Sequence, residues 1–384
     1  MPPKGGDTEH LCAEVFACLA RSDQRQWARV YLNGLLLGGG RKSLRRISAE
    51  LSEKNCEQSL QQFIGQSPWD HLEVLRSLAL RLTSEFDAEA LTVHEVAFAK
   101  NGTASAGVER QYVSRLGRVI NCQMGLAISL TAGDTCTPVY WRLMLPSTWN
   151  DDEERRRRAR VPEHERSLPA WQYVMEALDE LIGGWGLPVP PIVLESRRVG
   201  EAERLLAELN DRKVGYAVAI HPTQPLRLVS RRTADASQAV LAPPLPAHEC
   251  HRTADTRHTV AWTDPHGRTM RSHFSLLPVR LPDGGPAGRG GPPTPLQLIA
   301  EAPLGRPESR SFWLTNLVHR PLDGLVQIVK SHNRVARFLD GPVREVGLYD
   351  FEGRSYRGWH HHVTIVSVAL AHLAANSLSE LPVL

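Results

Sequence analysis

The sequence is poor in lysine: six of its 45 basic residues are Lys and the rest are Arg. Genomic base composition is enough to explain that bias, although Arg also offers a planar fork of donors suited to phosphate. No apolar run reaches the roughly 18 residues of a transmembrane helix, which excludes a helical membrane protein. The start, MPPKGGDTEHLCAEVF, lacks the basic and then apolar regions of a secretory signal. The six cysteines (12, 18, 56, 122, 136 and 250) include no C-x-x-C pair and form no even framework. Reduced thiols in a cytoplasmic protein are expected. No G-x-x-x-x-G-K-[ST], G-x-S-x-G or H-E-x-x-H stands out, so the common nucleotide, acyl-transfer and zinc-protease signatures name no reaction here. Charge of one sign is also missing: 45 basic residues face 42 acidic ones, for a net charge of +3. That excludes a histone-like tail but not nucleic-acid binding, where distribution matters more than the sum.

What is present is length and order. At 384 residues and 42% hydrophobic content, the chain is long enough for one large domain or two to three smaller ones. Residues 10–85 read as helical, with apolar spacing over 12–21 and 26–37 and a stop at Gly38-Gly39-Gly40. Two short amphipathic runs, 44–51 and 57–64, joined by SEKN, are compatible with a helix-turn-helix contact through Arg45 and Arg46. An ordinary bundle with a solvated basic face explains them as well. From residue 88 the pattern turns to strands at 90–98, 120–132 and 138–145. Helix 168–183, strand 191–196, helix 200–210 and strand 215–220 follow, which predicts a mixed α/β core. Residues 227–310 lose that regularity, with short strands expected at 258–263, 273–280 and 311–317 and a flexible loop at 281–295. Helices at 322–339 and 359–378 close the chain.

The mixed run DDEERRRRAR (151–160) is expected to be a solvated helix with Asp151 and Asp152 four residues before Arg155 and Arg156. A phosphate-facing role for those arginines is the alternative. Three consecutive histidines, His360–His362, cannot all face one metal on a helix. They are expected to be structural or solvent-facing. The HECH stretch (248–251) lacks a second pair at zinc spacing.

The segment LTVHEVAFAKNGTASAGVERQYVSRLGRVINCQMGLAISL (91–130) resembles the insertion-sequence 701 family of bacterial DDE transposases. Phe98, Lys100, Gly102, Arg110, Gln111, Tyr112 and Asn121-Cys122-Gln123 match that family's V-D-E-T-G-F-x-K-K-G, S-V-G-V-x-R-Q-Y and N-C-Q-V. WRLMLPSTWNDDEERRRRARVPE (141–163) is similar to its L-Y-L-P-x-S-W-x-x-D-x-x-R-R-x-x-x-V-P. VGLYDFEGRSYRGWHHHVTIVSVALAHL (346–373) is similar to its final G-W-x-R-H-[IL]-T-L helix. YLNGLL (31–36) and FIGQSPWD (63–70) also look like that family, and the likeness covers most of the chain outside 227–310.

The resemblance implies an RNase H-like mixed α/β sheet core on which three carboxylates hold two Mg²⁺ ions about 4 Å apart. It implies a helical region over 1–85, a core split between 86–226 and 319–384, and a β-rich insertion at 227–318. The family's first Asp falls on His94, its second on Glu195, and its third acid, counted back without gaps, on Ala336. The same count places the family's Arg on His332, its Trp on Asn333 and its later basic residue on Val343. Of the three metal-holding positions only Glu195 keeps a carboxylate. Glu95 is adjacent to His94 but points to the opposite strand face. Asp340 and Glu352 are the acids available for rescue.

The expected function is therefore an inactive or domesticated transposase homologue. DNA is the expected partner, through Arg45, Arg46, Lys100, Arg110, Arg155 and Arg156. A homodimer is compatible with this reading. No cofactor is expected, or Mg²⁺ if the chain is active. Two alternatives stand beside it: an active transposase using Glu195, Asp340 and Glu352, and a protein-interaction scaffold that does not touch DNA.

Overall fold

In the computed structural model of the protein, residues 5–51, 56–196, 201–229, 243–254, 256–264, 266–282, 294–305 and 310–379 are described. Most of the expected 281–295 loop and the SEKN joint lie outside them. Five helices come first: α1 (Gly5–Val15), α2 (Ser22–Leu36), α3 (Leu44–Leu51), α4 (Glu57–Gly65) and α5 (His71–Glu85). The first differs from the expected 12–21. Buried Leu11 and Val15 stand one turn apart, and the Ser22-Asp23 start signal opens a new helix instead of extending the old one. In α3, buried Ile47 packs on Gly34 of α2, where an added Cβ would lie 2.4 Å from its side chain.

The alternating run 90–99 forms β1 (Ala90–Ala99), followed by β2 (Glu109–Val113), β3 (Arg118–Ala132) and β4 (Thr135–Met144). Next come α6 (Glu153–Ala159), α7 (Ala170–Asp179), β5 (Ile192–Glu195), α8 (Glu201–Asp211) and β6 (Tyr216–Ala219). Strand β3 runs antiparallel to β1, β2 and β4, whereas β5 runs parallel to β1 and β6 parallel to β5. The order β4-β3-β1-β5-β6, three antiparallel strands and then two parallel ones joined by helices, is an RNase H-like sheet. The exposed strand β2 escaped the sequence reading because ERQYV carries too few apolar residues to show alternation.

The next stretch forms β7 (Pro225–Leu228), β8 (Leu245–Pro246), α9 (Ala247–Cys250), β9 (His258–Thr263), β10 (Thr269–Arg280), β11 (Leu296–Pro303) and β12 (Ser311–Thr315). It extends the core sheet: β12 pairs antiparallel with β6, and β11 and β10 follow. Strand β11 was not expected, since a glutamate and a flanking proline interrupt its apolar pattern. That glutamate, Glu301, is buried and satisfied. It accepts from Ser272 at 2.7 Å and from Lys330 Nζ at 2.5 and 2.6 Å, while Lys330 lies 3.6 Å from the Trp262 ring centre.

Three helices complete the chain: α10 (Leu322–Asp340), α11 (Pro342–Glu345) and α12 (Tyr356–Ser379). Helix α10 lays Leu325, Val326, Ile328 and Val329 over Ala90, Val193, Ala217 and Trp313, across β1, β5, β6 and β12. Helix α12 is the pillar between the sheet and the N-terminal bundle, buried on nearly every side, as such a position requires. Of the two expectations for its histidines, structural or solvent-facing, the first holds: all three are buried. His360 Nδ1 lies 3.0 Å from the Tyr356 carbonyl and its Nε2 lies 3.3 Å from the Leu143 amide. His361 sits between the carbonyls of Ile64 and Trp69, and His362 between the Tyr31 hydroxyl and the Leu348 carbonyl. All six cysteines are free thiols.

Candidate active site

Parallel pairing of β1 with β5 matches Leu91 to Ile192 and Thr92 to Val193. Two residues further along that register, His94 stands beside Glu195, both on the sheet face that α10 covers. From α10, His332 brings Nε2 to 2.9 Å from Glu195 Oε1. Three side chains from three elements, His94, Glu195 and His332, thus approach one another where the pairing of β1 with β5 ends, at the C-terminal end of β5 and midway along β1. Loops and helix termini gather at such an edge in open α/β sheets, which makes it the default place for a site.

The electrostatics of the three groups differ. His94 is buried at 8% exposure, and neither ring nitrogen has a hydrogen-bond partner of ordinary geometry. Its imidazole is pushed down to about 3, chiefly by burial and also by nearby His332 and Arg115, against an opposing interaction with the Thr92 backbone. It is neutral at physiological pH. Glu195 and His332 are each about one quarter exposed, so the pair opens to solvent on one side. His332 Nδ1 is buried without a partner.

The other sequence-derived positions lie elsewhere. Ala336 is half-buried on α10, one turn beyond His332. The residue that reaches Glu195 is therefore the one counted as the family's arginine, not the one counted as its acid. Asp340, a further turn along, pairs with Arg115 at 2.6 Å. Glu352 pairs with Arg41 at 2.9 Å, both well exposed. Among the described residues, no three His, Cys, Asp or Glu side chains form a group fit to hold a metal ion. Sequence reasoning missed the roles of His332 and Arg115. The only available signals were a polar residue on an otherwise apolar helix face and an arginine just before a turn glycine.

The basic residues separate in the same way. Arg156 is buried, and its guanidinium donates to the carbonyls of Trp149, Pro162 and Glu165 at 3.3, 2.8 and 2.7 Å. Arg155 stacks 4.2 Å over the Trp149 ring and donates to the Val108 carbonyl at 2.6 Å. The expected i,i+4 pairs from Asp151 and Asp152 do not form. Asp152 caps α6 by accepting from the Arg155 amide, and Glu154 pairs with Arg157 and Arg158. Lys100 donates to the Phe351 carbonyl at 2.8 Å. Arg46 is held by Glu50 and by the Gly38 and Gly39 carbonyls. Arg45 and Arg110 are exposed, and no ion pair engages them among the described residues.

A family model for DDE superfamily endonucleases matches residues 14–285, more than two thirds of the chain. The chain belongs to the DDE superfamily of endonucleases. The matched stretch contains His94 and Glu195 and stops before α10. No curated protein matches the chain. No helix among the described residues is long and apolar enough to cross a membrane.

Enzymes of this superfamily act on DNA, typically with Mg²⁺. The donor set at the strand ends of this DDE protein does not suit that ion. Mg²⁺ prefers hard oxygen ligands in an octahedron, and a two-ion site needs carboxylates that bridge and offset repulsion. Here one carboxylate is engaged by an imidazole, the second position is a buried neutral imidazole, and Ala336 has no donor. Asp340 and Glu352 hold arginines instead of turning toward Glu195.

Proposed function

We propose that this DDE-superfamily protein is an insertion-sequence 701-type transposase homologue that binds DNA and has lost strand cleavage and transfer. The observation that carries this reading is the composition of the meeting point of β1, β5 and α10. Where two-ion chemistry needs three carboxylates, the protein offers Glu195, His94 and His332. A neutral imidazole supplies one lone pair, cannot bridge two ions, and adds no negative charge to offset theirs. The motifs at 91–130, 141–163 and 346–373 support the narrower family. They include Trp359, which packs the last helix onto the sheet, and Asn121, whose amide donates to the Lys100 and Gly102 carbonyls. Residues kept for the fold outlast those kept for the metal.

In this reading the helical region 1–85 contributes DNA contact through Arg45. The core of 86–226 with 319–384 contributes Arg110, and 227–318 widens the sheet. Purified protein incubated with supercoiled plasmid and with duplexes bearing terminal inverted repeats, in Mg²⁺ or Mn²⁺, is expected to leave both intact. Metal-dependent nicking that disappears in Glu195→Ala would return the protein to the active enzymes. Failure of the intact protein to shift any DNA at low salt would instead favour the scaffold reading.

A further inference from the structure

Of the six large apolar side chains exposed among the described residues, three belong to a single hairpin: Tyr112 at 61%, Leu116 at 50% and Val119 at 49%. The hairpin is β2 with the first turns of β3, closed by a short helical turn and Gly117 in the left-handed region at φ 64°. Its two faces differ. Val113 and Cys122 point inward and form a small core with Met124. The opposite face carries Tyr112 paired with Val119 and Arg110 paired with Asn121. No element covers its Arg110, Tyr112 and Val119 side chains, which are all exposed.

The position of that bare face is informative. Residues two apart on a strand share a face. Counting along β3 from Val119 to Ala127, the cross-strand partner of His94, puts the bare face on the His94 side of the sheet. The tip packs on the helix that carries His332. Arg115 pairs with Asp340 at 2.6 Å, two turns beyond His332 on α10. Arg115 and Arg118 are exposed, so the hairpin presents Arg110 beside Tyr112 on the bare face, Arg115 at its tip, and Arg118, the cross-strand partner of Val113, at the edge of the other face. Its one acid, Glu109, is engaged by Thr148 and Arg155.

We propose that this hairpin is a DNA-docking arm, with Arg110, Arg115 and Arg118 on backbone phosphates and Tyr112 and Leu116 against the sugar and base edges of the same duplex. The assignment rests on the DNA-binding reading above and adds where the duplex lies: across the strand ends, beside Glu195. Charge selects the occupant. A two-fold contact with a second copy would set the three arginines against their own images, whereas a polyanion neutralises them. Guanidinium groups match phosphate geometry, and apolar side chains beside them are the usual wedge of minor-groove contacts. The pair between Arg115 and Asp340 is solvent-exposed, so a phosphate can displace the carboxylate at little cost.

The test uses the full chain and a fluorescent random-sequence duplex, followed by anisotropy across a salt series. The unaltered protein is expected to bind with a steep salt dependence. Arg110→Gln combined with Arg118→Gln is expected to weaken binding about tenfold and to make the log–log salt slope shallower by about 2. The corresponding Lys variants are expected to keep the slope. Tyr112→Ser with Leu116→Ser is expected to weaken binding without changing it. All of these positions are exposed, and circular dichroism verifies the fold. If the unaltered protein binds and every hairpin variant binds equally well, the docking arm is wrong while DNA binding stands. If the unaltered protein shows no salt-dependent binding, the DNA reading fails and the arm with it. If Tyr112→Ser with Leu116→Ser converts a dimer to a monomer in sedimentation velocity and leaves DNA affinity unchanged, the face is a self-interface and the proposal is overturned.

Discussion

Taking the protein from pH 7 to about pH 5.5 is expected to remove about 4 kcal/mol of folding stability through three buried histidines alone. His94 and His362 are pushed down by burial to about 3 and about 4, and His360 well below its ordinary value. The contacts of two of them fix the neutral form. His360 donates from Nδ1 to a carbonyl and accepts at Nε2 from an amide. His362 accepts at Nδ1 from the Tyr31 hydroxyl and donates from Nε2 to the Leu348 carbonyl. The sign follows from the direction of the shifts. In the unfolded chain each imidazole takes up a proton near its ordinary value of about 6.5, while in the folded chain it stays neutral until much lower pH. The stabilisation is therefore complete above that value and is lost as pH falls toward about 4, at up to about 1.4 kcal/mol per pH unit per group. His361 is also lowered by burial, but both of its nitrogens face carbonyl acceptors that favour a second proton.

A domain typically has about 5–15 kcal/mol to lose, so this loss takes a large share of the stability. Urea unfolding followed by tryptophan fluorescence at a series of pH values measures the slope, which should correspond to uptake of at least three protons. A profile flat from pH 7 to 5.5 contradicts the neutral assignments. His94→Leu isolates one of the three. It should remove one proton from the slope without lowering stability at neutral pH, because the nitrogens it deletes have no partners to lose.

Trp359→Ala is the single substitution expected to cost most, about 3–5 kcal/mol. Trp359 is 1% exposed. Its ring meets Phe98 of β1 at 5.4 Å and Trp141 of β4 at 6.1 Å, both edge-on. Gly125 of β3 faces it so closely that an added Cβ would lie 2.7 Å from the indole. One side chain thus fastens α12 to three strands of the core, while His361 and His362 on the same helix hold the N-terminal bundle. Removing it leaves a cavity bordered by rigid aromatics that cannot collapse to fill it. The urea midpoint should fall with little change in its steepness. Trp359→Phe should keep most of the stability, since it retains ring contacts and removes an indole nitrogen that is buried without a partner.

Much of the core was legible in the sequence, for identifiable reasons. β1, β3 and β4 are long and apolar, β1 and β3 end at glycine-containing turns and β4 at Pro146-Ser147, α10 keeps a helical period over 19 residues, and α12 is a long apolar run of 24. Strands β2 and β11 were not legible, because an exposed hairpin and a strand holding a buried Lys–Glu pair carry little apolar alternation. Within the candidate site, the flanking motif marks His94 and a best alignment marks Glu195, and the pairing of β1 with β5 puts the two on adjacent parallel strands. The third position was not. A count along the chain gave Ala336, and only packing shows that His332, one turn earlier, is the side chain touching Glu195. Arg155 and Arg156 show the opposite error. A run of arginines looks like a phosphate surface, but a guanidinium with five donors also satisfies a cluster of carbonyls that would otherwise be buried alone.

The central claim is that the strand-end site of this DDE protein no longer holds its metal ions. Mn²⁺, which occupies Mg²⁺ sites and gives an electron paramagnetic resonance signal when free, tests it directly. Titration of the intact protein to millimolar Mn²⁺ should leave the same free signal as titration of Glu195→Ala. Two ions taken up per chain by the intact protein, and released by Glu195→Ala, would contradict the account.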